Sequence, residues 1–110
     1  AFSRQGAISA QPLEQLQGCY DLVINGTSAS LQGQVIELPG NLLGKNSLAY
    51  DMVYSSNPTP FMQWAESQDA ATSDGLGMLV AQAAESFRLW RGESPNFVNV
   101  VETLRAEMVN

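Results

Sequence analysis

Leu22, Val23 and Ile24 form an uninterrupted apolar run that stops abruptly at Asn25, Gly26, Thr27 and Ser28. A strand apolar on both faces suits a parallel sheet covered by helices, whereas a half-exposed sheet alternates polar and apolar residues. The pattern predicts a strand over residues 20–25, buried on both faces, with a polar loop at its carboxyl end. Residues 47–54 (SLAYDMVY) predict a second strand.

Helical signals lie before, between and after these strands. Residues 12–17 (PLEQLQ) read as a short helix with proline in its first turn, where a missing N–H costs little, and residues 6–9 suit a short strand. The loop over residues 29–46 has room for one helical turn. Asn57-Pro58-Thr59-Pro60 places Thr59 as an N-cap and Pro60 at the first position of a helix over residues 60–68. A longer helix opens at Asp74, runs to about Arg91 and is stopped by Gly92. A last one, from about Asn96 to Val109, sets Phe97, Val100, Val101, Leu104 and Met108 on one face. Strands alternating with helices give an α/β architecture with parallel strands and flanking helices.

Composition narrows the function. With 45% hydrophobic and 15% charged residues, a chain of 110 residues has enough apolar side chains for one domain. Its net charge of −6, with Lys45 and four scattered arginines as its cations, argues against a nucleic-acid surface, which needs a clustered basic face. There is no histidine, and Cys19 is the single cysteine. An internal disulfide, the common zinc sites and Ser/His or Cys/His catalysis are therefore excluded, and no metal is expected. No long apolar stretch suits a membrane span, so a cytoplasmic location is the default expectation. The start without methionine or an obvious first element leads us to expect a chain cut from something longer.

In an open parallel sheet, ligands sit beyond the carboxyl ends of the strands. Two groups of residues fall there. Asn25, Thr27 and Ser28 offer an amide and two hydroxyls after the first strand, although turn chemistry explains the same residues. Met52 and Tyr54 end the second, Tyr54 with a phenol and Met52 as either an apolar wall or core filler.

The helix after Asp74 adds a third group. Met78, Leu79, Val80, Ala81, Ala83 and Ala84 wrap its surface in apolar side chains around one polar residue, Gln82. A helix apolar all round is buried, so Gln82 either bonds to neighbouring backbone or reaches into a polar cavity. Asp74 can cap this helix. Gly75 and Gly77 clear its first turn for a close approach, by a cofactor ring or by a neighbouring strand. No Gly-x-Gly-x-x-Gly or Walker sequence is present, no carboxylate pair stands out as an acid/base couple, and Lys45 reads as a solvated loop charge.

Four segments in order, YDLVINGTS (residues 20–28), YDMVY (50–54), TPF (59–61) and DGLGMLVAQAAESFRLWRG (74–92), resemble the C-terminal stretch of bacterial shikimate dehydrogenases. The resemblance implies the C-terminal part of a Rossmann-type NAD(P)-binding domain over residues 1–110. The helix in residues 93–110 would pack back toward an N-terminal substrate domain. It implies an oxidoreductase that reduces 3-dehydroshikimate to shikimate with NADPH, in aromatic amino-acid and chorismate biosynthesis. Tyr54 and Gln82 match positions that hydrogen-bond the shikimate ring, and Met52, Gly75 and Met78 match the wall around the nicotinamide. Asn25, Thr27 and Ser28 match the loop beside the nucleotide.

That family's catalytic lysine and aspartate lie in its N-terminal domain, so no catalytic residue is expected in this chain and the chain alone is expected to be inactive. Its partners would be the missing domain, with self-association of the fragment as the substitute. Two alternatives stand beside this reading. One is a quinate/shikimate dehydrogenase using NAD, and the other is a non-catalytic α/β binding or assembly module whose free sheet edges a partner covers.

Overall fold

The computed structural model describes residues 8–108. Three strands, β1 (Leu22–Asn25), β2 (Leu48–Asp51) and β3 (Ala71–Ser73), form one parallel sheet in the order β1-β2-β3. Leu22 pairs with Leu48 and Asn25 with Asp51, while Leu48 pairs with Ala71 and Tyr50 with Ser73. Helix α1 (Pro60–Glu66) follows β2, α2 (Leu76–Arg91) follows β3, and α3 (Phe97–Met108) follows α2. The α/β class with parallel strands and C-terminal helices is the one expected.

The core lies between the central strand and α1. Leu43, Ala49, Phe61, Ala65 and Ala70 are buried together, with Val23, Leu38 and Trp64 packed against them. The rings of Phe61 and Trp64 lie 5.6 Å apart at a tilt of 32°. Polar contacts seat the long loop between β1 and β2 on this core: the Leu43 amide donates to Gln68 Oε1 at 3.0 Å, and the Ser47 hydroxyl donates to the Tyr20 carbonyl at 2.6 Å.

Two helix boundaries follow the sequence signals. Thr59 Oγ1 accepts from the Met62 amide at 3.2 Å, with Pro60 in the first turn, and Gly92 ends α2 with a left-handed φ of 72°. The remaining elements are shorter than expected. Residues 12–17 hold only a single 3-10 turn, Leu13–Gln15, and α1 ends at Glu66 because Asp69 turns the chain with a positive φ of 63°. A second 3-10 turn, Ala29–Gln32, is the turn anticipated in the β1–β2 loop. The strand suggested at residues 6–9 lies partly outside the described residues, and Ile8 and Ser9 are not in one.

Three findings correct the expectations. β3 was not anticipated: its residues, Ala-Thr-Ser, carry no apolar run, and pairing with β2 makes them a strand. β1 is not buried on both faces, since Leu22 and Ile24 are half exposed. It forms one edge of the sheet, and no described helix covers those side chains. Nor is α2 buried all round: Leu76 and Val80 are buried and α3 packs on the helix, while Met78, Leu79, Phe87 and Trp90 are exposed.

Candidate functional site at the carboxyl ends of the strands

β1 and β2 end in step, and their register sets Asn25 beside Asp51. Both are buried, Asp51 completely. The Asp51 carboxylate accepts four hydrogen bonds: from Ser30 Oγ and Thr59 Oγ1 at 2.7 Å each, from the Val53 amide at 3.1 Å and from Asn25 Nδ2 at 3.4 Å. A buried carboxylate is costly unless donors surround it, and here they do. One side chain thereby ties the loop after β1, the loop after β2 and the start of α1 together.

Asn25 is fully engaged within this network. Its Oδ1 accepts from the Thr27 amide at 3.0 Å and the Thr27 hydroxyl at 2.8 Å, and its Nδ2 also donates to Ser30 Oγ at 3.4 Å. Its side chain therefore shapes the loop, and the exposed residues of that loop are Gly26, Thr27 and Ser28.

Past Asp51 the chain leaves the sheet, so Met52 and Tyr54 lie beyond the strand and are 46% and 44% exposed. The backbone of Met52 meets the start of α2. A Cβ on Gly75 would lie 2.0 Å from the Met52 carbonyl oxygen, and the Gly75 amide donates to the Val53 carbonyl at 3.2 Å. Gly75 is thus required by a neighbouring strand end, the second of the two partners its sequence left open. Gly77, by contrast, has open space where a side chain would be.

Met78, 44% exposed, and Gln82, also exposed, follow four residues apart on α2 and share one face. Gln82 is therefore not the buried amide its apolar neighbours suggested, since the turn around it is covered only on the side of Leu76 and Val80. The fold brings Met52, Tyr54, Gly75 and Met78 to the junction of the β2 end with the first turn of α2, with Gln82 one turn further along. Thr27 and Ser28 belong to the adjoining β1 loop, where Gly26 approaches Met52 Sδ (3.5 Å from a Cβ placed there).

Two clefts flank this region. One, of about 510 Å³, runs along β1 and is lined by Leu13, Leu16, Leu22, Ile24, Asn25 and Thr27 among others. The other, of about 350 Å³, is lined by Ser55, Asn57, Met62, Thr72, Asp74 and Arg105 among others. Neither encloses Tyr54, Met78 or Gln82.

In the second cleft Arg105 of α3 grips Asp74 with both nitrogens, Nη1 to Oδ2 at 2.8 Å and Nη2 to Oδ1 at 2.6 Å. Asp74 also accepts from the Leu76 amide at 3.2 Å, so it lies one residue ahead of the N-cap Gly75. Burial alone would raise the Asp74 carboxyl. The Arg105 hydrogen bonds, the Leu76 amide, the guanidinium charge and the Ser55 backbone outweigh it and hold the carboxyl below the usual aspartate range.

The sign of the resulting pH dependence is fixed by that lowering. The contribution of Asp74 is complete above the unfolded value of about 3.9 and is lost as pH falls through the lower folded value. Asp74→Asn is expected to unfold at lower urea concentration than wild type at pH 7, with the gap closing below about pH 4. Urea midpoints at both pH values check this, and a gap that persists in acid would contradict it.

Local patterning missed Asp51, Ser30 and the Asp74–Arg105 pair. The paired residues lie 31 positions apart, and Asp51 sits within a strand pattern whose apolar residues draw the attention. Among the described residues no cluster of three or more His, Cys, Asp or Glu side chains could hold a metal, and no helix is long and apolar enough to cross a membrane.

Comparison with known proteins bears on the family and the fold. The family of shikimate 5'-dehydrogenase C-terminal domains matches residues 75–105. A shikimate dehydrogenase (NADP(+)) of Alkalilimnicola ehrlichii is 52% identical over 96% of the chain, which corresponds to 40% of that protein. Among solved structures, an Ael1 enzyme from Pseudomonas putida superposes with a TM-score of 0.71 at 42% identity, covering 78% of this chain and 32% of that one. A Thermus thermophilus shikimate 5-dehydrogenase in complex with NADP(H) and shikimate gives a TM-score of 0.66 at 32% identity, covering 78% of this chain and 33% of that one. The chain thus spans about two-fifths of the length of the curated relative it matches.

Proposed function

We propose that this chain, which belongs to the shikimate dehydrogenase family and matches its C-terminal portion, forms one wall of the cleft in which an NADP-dependent shikimate dehydrogenase binds its two ligands. The observation that carries the reading is the junction of the β2 end with α2. There the Met52 backbone lies against Gly75, and the side chains of Tyr54, Met78 and Gln82 are left free and exposed around it.

The residues present fit the ligands the relatives' names imply. The exposed thioethers of Met52 and Met78 offer an apolar surface to a flat ring, and the open first turn of α2 at Gly77 leaves that approach clear. Thr27 and Ser28 lie on the adjoining loop as neutral hydrogen-bonding groups for a nucleotide. NADPH, when bound, supplies the hydride. The phenol of Tyr54 and the amide of Gln82 orient a polyhydroxylated ring, and orientation of this kind contributes several kcal/mol, roughly 7–11 where reacting groups are fully aligned.

On this reading the acid/base pair belongs to the N-terminal domain, and α3 (Phe97–Met108) is the helix that would pack toward it. The half-exposed Leu22 and Ile24 of β1, and Leu79, Phe87 and Trp90 of α2, are surfaces that the remaining part of such an enzyme would cover. The chain alone is expected to produce no NADPH from shikimate and NADP+.

Gln82→Ala in the full-length protein tests the reading. Gln82 is exposed and on a helix, so its removal should change stability by less than about 0.5 kcal/mol. The Michaelis constant for shikimate should rise ~10-fold, equivalent to one hydrogen bond of about 1.4 kcal/mol. Unchanged kinetics with a lowered melting temperature would instead make Gln82 a structural residue. Running the assay with NADP+ and NAD+, on shikimate and on quinate, separates the two dehydrogenase readings.

A further inference from the structure

Arg105 makes a third contact besides its pair with Asp74: Nη1 also donates to the Ser55 carbonyl at 3.3 Å. Ser55 follows Tyr54 directly, and Asp74 precedes Gly75 directly. One guanidinium from α3 thus holds the segment after β2 and the segment before α2 at the points where each carries a residue of the proposed cleft. The Asp74 side chain is only 9% exposed, and the fork-to-fork geometry with a carboxylate is one that a single ammonium cannot reproduce. A backbone hydrogen bond from the Gly75 amide to the Val53 carbonyl also joins these two segments.

We infer that Arg105 is a positioning residue for the substrate-facing edge of the cleft, fixing the Tyr54 turn against the start of α2 through Ser55 and Asp74. This rests on the reading of Tyr54 and Gly75 as cleft residues. Without the guanidinium, the Ser55 carbonyl loses its side-chain donor and the Asp74 carboxylate keeps only the local Leu76 amide, so the turn carrying Tyr54 gains freedom relative to Gly75. The α2 helix itself is retained, since Leu76 and Val80 stay buried.

The test uses the full-length protein as wild type, Arg105→Met, Arg105→Lys and, as a control, Arg88→Met, which breaks the exposed Glu85–Arg88 pair on α2. Hydrogen exchange should accelerate ~10-fold or more in Arg105→Met for the amides of residues 53–56 and 75–76, a local opening and not a global one, and remain unchanged in Arg88→Met. In the same variant kcat/KM for shikimate should fall ~10-fold, mainly through KM, because a displaced binding group weakens orientation. Arg105→Lys should recover part of this loss, since it restores charge but only one contact.

Unchanged exchange in those amides would overturn the latch. Accelerated exchange with wild-type KM and kcat would overturn its role in positioning. Should the wild-type protein fail to oxidise shikimate with NADP+, the functional reading falls, and the exchange measurement still decides whether Arg105 holds the two segments.

Discussion

Gly75→Ala is expected to destabilise the protein by about 3 kcal/mol or more, the upper range for forcing extra volume into a packed site. The backbone conformation is not the obstacle, since φ at Gly75 is −82°, which any residue adopts. The obstacle is the Met52 backbone: the new methyl would sit 2.0 Å from its carbonyl oxygen and 2.7 Å from its carbonyl carbon. Backbone cannot rotate away as a flexible side chain can, so the β2 end and α2 must separate. Gly77→Ala, two residues on, meets nothing within 4 Å and should be neutral or stabilising by about 0.5–1 kcal/mol through helix propensity. Urea midpoints of the two variants check the contrast, and equal effects would show that the close approach does not set the cost.

Asp51→Ala should cost about 3–5 kcal/mol, the range for breaking a buried, charge-assisted network by removing one partner. Ser30, Thr59 and the Val53 amide lose their acceptor at once, and the Asn25 amide loses one of its two. Asp51→Asn should fall between this variant and wild type, because it keeps one oxygen as acceptor while its amide can donate to the two hydroxyl oxygens. Because the same carboxylate anchors the loop of Thr27 and Ser28, both substitutions should also weaken NADP+ binding in the full-length protein. Denaturant unfolding and a dinucleotide titration measure the two effects separately. Wild-type stability for Asp51→Ala would mean that water replaces the carboxylate without penalty.

How much of this was legible beforehand depended on whether a feature is local. Thr59 before Pro60, and Gly92 after Arg91, are boundary signals carried by neighbours in sequence, and the structure places both boundaries there. The parallel sheet was legible from the two strands and the helices that follow them. β3 was not, because its stability comes from pairing with β2 and not from its own residues. Periodicity counts apolar side chains without knowing what covers them, and so it wrongly buried both Ile24 and Gln82.

The candidate site divides in the same way. Asn25, Thr27, Ser28, Met52, Tyr54, Gly75, Met78 and Gln82 stood out by residue type at strand ends and helix starts, and the fold gathers them around the carboxyl ends of β1 and β2 and the first turns of α2. The groups that hold these segments in place, Asp51 with its four donors and Arg105 on Asp74, are contacts between residues distant in sequence. No spacing rule reaches them.

The most direct test of the central claim is a crystal structure of the full-length protein with NADP+ and shikimate bound. The account predicts that Tyr54 Oη and a side-chain atom of Gln82 lie within hydrogen-bond distance of shikimate. It also predicts the nicotinamide ring against Gly75, Met52 and Met78, with the nucleotide beside Thr27 and Ser28. Shikimate and nicotinamide bound elsewhere, with Gln82 and Met78 facing solvent or a different surface, would contradict it.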